Sequence, residues 1–170
     1  WEKRVKDIIR TLEQYLQVTV EDTVQDALLL FDRAVREKRP LGLLVVEQET
    51  PGDETIKGFV TPQEVVFGLA TRFLKGAGKS GPIFWEGQLT AESQDGLSKH
   101  VGEIMIPIEA YARENEMLME AIFLLYKYGK DFLPVANKEE VIGTIHMDDI
   151  LKEIIEISSM ERTAPTSGNV

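Results

Sequence analysis

Two stretches of the sequence carry one order of residue types. Gly58-Phe59-Val60-Thr61-Pro62-Gln63-Glu64-Val65-Val66 and Gly143-Thr144-Ile145-His146-Met147-Asp148-Asp149-Ile150-Leu151 each run glycine, two strand-forming positions, a polar residue, two variable positions, a carboxylate and then apolar residues. A repeated order of this length implies a repeated supersecondary unit. The likeness continues upstream, where Asp22-Thr23-Val24-Gln25-Asp26-Ala27 matches Glu116-Met117-Leu118-Met119-Glu120-Ala121 and Leu44-Val45-Val46 matches Leu133-Pro134-Val135. Ala27 and Ala121 stand 94 positions apart but Gly58 and Gly143 only 85, so the first copy is nine residues longer. This alignment puts five of them between Ala27 and Val46, where Arg36 to Pro40 lengthens a helix exit, and four in a polar loop from Gln48 to Asp53. Polar, Pro- and Gly-bearing loops tolerate such insertions.

Periodicity gives each copy its elements. Trp1 to Ile9 suits a short amphipathic helix, and Leu16, Val18 and Val20 alternate with polar residues as a half-buried strand does. Val24, Ala27, Leu28, Phe31 and Val35 recur at three and four, the spacing of a helix face, and Pro40 closes that helix. Leu43 to Val46 reads as a buried strand, with Ile56 to Val60 as its hairpin partner across Pro51-Gly52-Asp53. Thr61-Pro62-Gln63-Glu64 opens a helix, with threonine at the cap, proline first and glutamate three on, and Val66, Leu69, Ala70 and Phe73 form its expected buried face. The same strand, helix, strand, strand, helix order recurs. It runs through Ala110 and Ala112, then Leu118 to Leu125, Phe132 to Val135, Val141 to Ile145, and Ile150, Leu151 and Ile154. The chain is thus expected to be α+β, with two βαββα motifs packed against each other to cover their sheets. The expected boundaries are 1–74 for the first motif, 75–100 for an insertion, 101–160 for the second motif and 161–170 for a disordered tail. In the insertion, Phe84 and Trp85 are expected to cover core.

Several function classes fall away. A net charge of −10 disfavours a broad nucleic-acid footprint, which rewards clustered Lys and Arg. No apolar run reaches a membrane span, no leader stands at the start of this sequence and there is no cysteine, so a cytoplasmic location is the default expectation. Gly78-Lys79-Ser80 lacks the glycine five residues earlier that a phosphate loop needs, since Phe73 stands there. His100 and His146 are the only histidines, and no metal set is expected.

On these residues, together with Leu133-Pro134-Val135 and Val101-Gly102-Glu103-Ile104-Met105-Ile106-Pro107, the chain resembles the paired cystathionine-beta-synthase (CBS) domains, the Bateman module. The resemblance implies pseudo-twofold symmetry, no catalysis and no cofactor, and a regulatory sensor of AMP, ADP, ATP or S-adenosylmethionine in one or both interdomain clefts. A homodimer is expected from the apolar helical face each motif leaves uncovered. The implied ligand-binding residues are Gly58, Val60, Thr61 and Glu64 in the first copy and Gly143, Ile145, His146 and Asp149 in the second. In the family a hydroxyl approaches phosphate and an Asp binds the ribose diol; each copy departs once, with Glu64 in place of Asp and His146 in place of the hydroxyl. A helix's first turn suits that role, offering unpaired N–H groups and a positive dipole end. Thr61 and Glu64 equally form a capping box that needs no ligand, His146 equally suits a surface loop, and Asp149 equally serves as an N-terminal helix charge. The rival function is a ligand-free dimerisation module.

Overall fold

A computed structural model describes residues 2–79 and 81–163. Along the chain, a short helix α1 (Val5–Ile8) and a two-residue strand β1 (Arg10–Thr11) lead into β2 (Leu16–Thr19), α2 (Val24–Arg36), β3 (Leu43–Thr50), β4 (Asp53–Val60) and α3 (Pro62–Gly76). After α4 (Gln88–Gly96), a short helix α5 (Val101–Ile104) and β5 (Ile106–Pro107) precede β6 (Ala112–Arg113), α6 (Leu118–Tyr128), β7 (Phe132–Asn137), β8 (Glu140–His146) and α7 (Met147–Thr163). The fold is α+β, and the strand, helix, strand, strand, helix order occurs twice. None of the described helices is long and apolar enough to cross a membrane.

The chain divides into two compact units, and their edges correct the expected boundaries. One unit is Glu13–Ile108; the other is Trp1–Leu12 together with Glu109–Val170. The cause is edge pairing. β5 runs antiparallel to β4, with Gly58 facing Pro107, so the segment assigned to the second motif completes the sheet β2-β3-β4-β5 of the first. Likewise β1 runs antiparallel to β8, with Arg10 facing Thr144 and Thr11 facing Gly143, in the sheet β1-β8-β7-β6. The short helix before each arm strand docks by the same bonds. Val101 N–H donates to Asp22 O at 2.7 Å and Val5 N–H to Glu116 O at 2.9 Å. Each arm thus satisfies edge groups that would otherwise need water or a partner. The expected tail of 161–170 is corrected at its start, since α7 continues through Thr163; its remaining residues, 164–170, lie outside the described residues.

The pairing also shifts the repeat by one residue. Val45 faces Gly58 and Val135 faces Gly143, each followed by a bulge, so Leu43-Leu44-Val45 is the counterpart of Leu133-Pro134-Val135. The first copy's excess is therefore four residues before Val45 and five after it. The later five are not a loop. β3 and β4 extend past the core as an exposed, paired hairpin, turning at Pro51-Gly52 with Gly52 at φ +84°.

Each unit has its own core. Val18, Ala27, Leu43, Val45, Val60, Val65 and Val101 pack in one. Val5, Ala112, Ala121, Leu125, Leu133, Val135, Ile145 and Ile150 pack in the other. The expected helix faces hold in part, with Val24 and Ala27 of α2 buried and Leu28 and Phe31 of α2 and Leu69 of α3 packed on the core, but each of three helices departs from its stripe at some positions. In α2 Ala34 is buried and Val35 exposed; in α3 Val65 is buried while Val66 is 58% exposed; in α7 Ile150 is buried while Leu151 and Ile154 are exposed. Close helix packing sets the phase of α3. A Cβ on Gly68 would lie 2.6 Å from Ile104 Cγ2 of α5, and one on Gly96 of α4 would lie 2.5 Å from Leu69 Cδ2. The insertion thus covers α3 with its helix α4, tied down by Arg72 to Glu92 at 3.0 Å and to Asp95 at 3.2 Å. Its aromatics do not do so: Phe84 is exposed and Trp85 is 69% exposed, the latter only tilting against Phe73 at 5.8 Å.

Candidate functional site

In the Glu13–Ile108 unit, β4 delivers Gly58, Phe59 and Val60 to the cap of α3. Gly58 is buried, and a Cβ there would meet the Ile106 carbonyl oxygen at 2.3 Å, so the close approach of β5 requires glycine. The Val60 side chain is fully buried in the core. Thr61 and Glu64 face each other, Glu64 Oε1 accepting from the Thr61 N–H at 2.7 Å and from the Thr61 hydroxyl at 2.5 Å. The carboxylate thus caps its own helix. Beside it opens a cleft of about 360 Å³, with Glu64, Phe67, Thr71, Lys99 and Glu103 in its walls. Lys99 Nζ donates to Gly68 O at 2.8 Å.

In the other unit the same positions build a different site. A Cβ on Gly143 would lie 2.4 Å from Arg10 O, again because an arm strand presses on the glycine. Ile145 is fully buried in the core. His146 closes β8, its ring stacked on Phe132 at 5.4 Å and 16°. Its Nε2 stands 3.0 Å from Oγ1 of the fully buried Thr144. Asp149, in the first turn of α7, takes both ends of the Arg10 guanidinium: Nε donates to Oδ2 at 2.6 Å and Nη2 to Oδ1 at 3.2 Å. Lys152 Nζ lies 3.8 Å from Oδ1. The Arg10 hydrogen bonds, outweighing partial burial, hold the Asp149 carboxyl below the usual carboxylate range. Burial first, and the Arg10 charge second, lower the His146 pKa below that of a free imidazole, against the opposing pull of Asp149, Asp131 and Asp148.

The structure brings Thr61 together with Glu64, and His146 and Asp149 into one cluster with Arg10 and Thr144. Sequence reasoning passed over Arg10, Thr144 and Phe132. Arg10 and Asp149 are separated by 139 positions, so no local spacing pointed to the pair. Among the described residues no group of three or more His, Cys, Asp or Glu side chains is placed to hold a metal ion.

Residues 101–156 match the CBS domain family. No curated protein sequence matches the chain. Solved structures share its fold. A structure of CBSX2 in complex with AMP is 22% identical, with a TM-score of 0.59 over 91% of this chain and 98% of that one. The CBS domain pair of protein MJ0100, in complex with 5′-methylthioadenosine and S-adenosyl-L-methionine, is 16% identical, with a TM-score of 0.60 over 92% of this chain and 99% of that one. The cytosolic domain of the Mg²⁺ channel MgtE, in complex with ATP, is 19% identical, with a TM-score of 0.58 over 90% of this chain. The chain spans about half of that last structure, 49% of its length.

Proposed function

The chain carries a CBS domain at residues 101–156 and has the fold of a CBS pair, and from this premise we propose that it is a regulatory sensor of an adenine nucleotide or adenosyl compound rather than a catalyst. The observation that carries the reading is Asp149. It is an ionised carboxylate in the first turn of α7, beside His146 and a guanidinium. A carboxylate there can accept both hydroxyls of a ribose, while helix N–H groups and Arg10 offer positive charge to a phosphate. AMP, ATP, 5′-methylthioadenosine and S-adenosylmethionine, the ligands of the structures above, share the adenosine that such a site would take. Glu64, turned onto Thr61, supports a weaker site in the first copy.

A thermal-shift panel of AMP, ADP, ATP and S-adenosylmethionine tests this. A ligand at a hundred times its dissociation constant adds roughly 2.7 kcal/mol, about 5–10 °C for a chain of this size. Asp149→Ala should remove more of that shift than Glu64→Ala. No shift with any adenosine compound at millimolar concentration sinks the reading. It would favour a ligand-free dimerisation module, which the exposed Leu151, Ile154 and Ile157 of α7 support. Light scattering on the eluting peak then reports whether two copies pair.

A further inference from the structure

Asp149 and Glu64 occupy equivalent places in the two copies, yet only Asp149 meets a cation in its arm strand. The strand registers identify the counterpart of Arg10. Thr11 faces Gly143 and Pro107 faces Gly58, so the residue before each, Arg10 in β1 and Ile106 in β5, holds the same station. Ile106 has no charge to offer, and Glu64 bonds Thr61 instead.

We infer that Arg10 makes the second copy selective for phosphate-bearing adenosine ligands over neutral ones; this rests on the adenosine-binding reading above. A ribose diol needs carboxylate lone pairs, and on each oxygen of Asp149 it would share the acceptor with the Arg10 fork. The pair is partly withdrawn from water, with side-chain exposures of 29% for Arg10 and 17% for Asp149. A diol sharing those oxygens weakens a charge-assisted pair that is partly withdrawn from water. A phosphate on the same ligand gives the planar guanidinium a second bidentate partner, and Lys152 adds to the same field. Adenosine brings the diol without that compensation.

The experiment is calorimetric titration of AMP and of adenosine into the full chain carrying Glu64→Gln, which silences the first copy's carboxylate. Arg10 is kept or changed to Gln or Lys, and far-UV circular dichroism confirms that each protein is folded. With Arg10 present, AMP should bind about 10- to 100-fold more tightly than adenosine, the span of one charged hydrogen bond. Arg10→Gln should bring that ratio close to one, and Arg10→Lys, which keeps the charge but loses the fork, should fall between. An AMP-to-adenosine ratio unchanged in Arg10→Gln, with both ligands still binding, overturns the inference and leaves the sensor reading standing. If neither AMP nor adenosine binds the chain without substitutions, the sensor reading itself fails and this inference with it. Should Arg10→Gln not fold, an unchanged ratio in Arg10→Lys overturns the role of the fork.

Discussion

At residue scale, His146 shows what three-dimensional neighbours add to a side chain's chemistry. A histidine facing phosphate predicts tighter nucleotide binding at pH 6 than at pH 8, because the imidazolium would pair with the anion. Burial and Arg10 lower its pKa in the fold, so protonation, and the binding advantage with it, is displaced to more acid conditions. A stability consequence follows by linkage. Below the unfolded pKa of about 6.5 the unfolded chain takes up the proton more readily than the folded one, so stability contributed at neutral pH is lost as pH falls through the folded pKa. We expect the urea midpoint to fall between pH 7 and pH 5, and His146→Gln to flatten that slope. Asp149, whose pKa is also lowered, stays ionised across this window and contributes its own loss only in stronger acid. An identical slope in His146→Gln would mean that the imidazole does not titrate differently on folding. The sequence showed His146 and Asp149 as candidates through their place in the repeat. It could not show the state of either, since that is set by Arg10 and Phe132 from other strands.

At the scale of elements, the two glycines of the repeat belong first to the arms. Both were legible as invariants of the duplicated pattern, and a ligand seemed to explain them. The geometry gives a nearer cause, because Gly58 and Gly143 let β5 and β1 approach to within a distance that any Cβ would block. Gly143→Ala would push into the Arg10 carbonyl, a backbone atom that cannot rotate away, and should destabilise by about 1–3 kcal/mol. Gly76→Ala, at the end of α3 with nothing within 4 Å of the new carbon, should be neutral or slightly stabilising. Chemical denaturation of both variants checks the contrast, and amide exchange at Arg10 and Thr11 should quicken only in Gly143→Ala. The expected face of α3 holds at Leu69 but fails at Val66, for a related reason. Its apolar residues permit either stripe, and the choice of Val65 over Val66 is made by α4 and α5 docking at Leu69 and Gly68. Propensity and periodicity name a helix; what lies against it selects the face.

On the scale of the whole molecule, two copies of one motif were legible from the sequence alone, but their membership was not. A repeat in sequence suggests units cut between the copies, whereas each unit here takes the arm that precedes the other motif by a few residues. For the first motif that arm is 101–108, far along the chain, and for the second it is 1–12. Two-residue strands leave almost no periodic trace, so nothing local announced the exchange. The consequence can be tested by cutting the chain. Glu13–Ile108 is continuous and contains every strand of its sheet, so expressed alone it should melt cooperatively. A fragment of residues 109–163 lacks Val5, which is fully buried in its core, as well as β1 and the Arg10 partner of Asp149. Burying one valine contributes about 1.5–3 kcal/mol. With the half-buried Ile8 and Ile9 and the bonds from Val5 and Lys6 to Glu116 and Glu114, the arm's share approaches the roughly 5 kcal/mol lower bound of a domain's stability. The 109–163 fragment should therefore show no cooperative transition by circular dichroism. Joining residues 1–12 ahead of it through a flexible linker should restore one, and the same fusion carrying Val5→Asp should not. A cooperative melt of 109–163 on its own would mean that the arm decorates the second unit without holding it together.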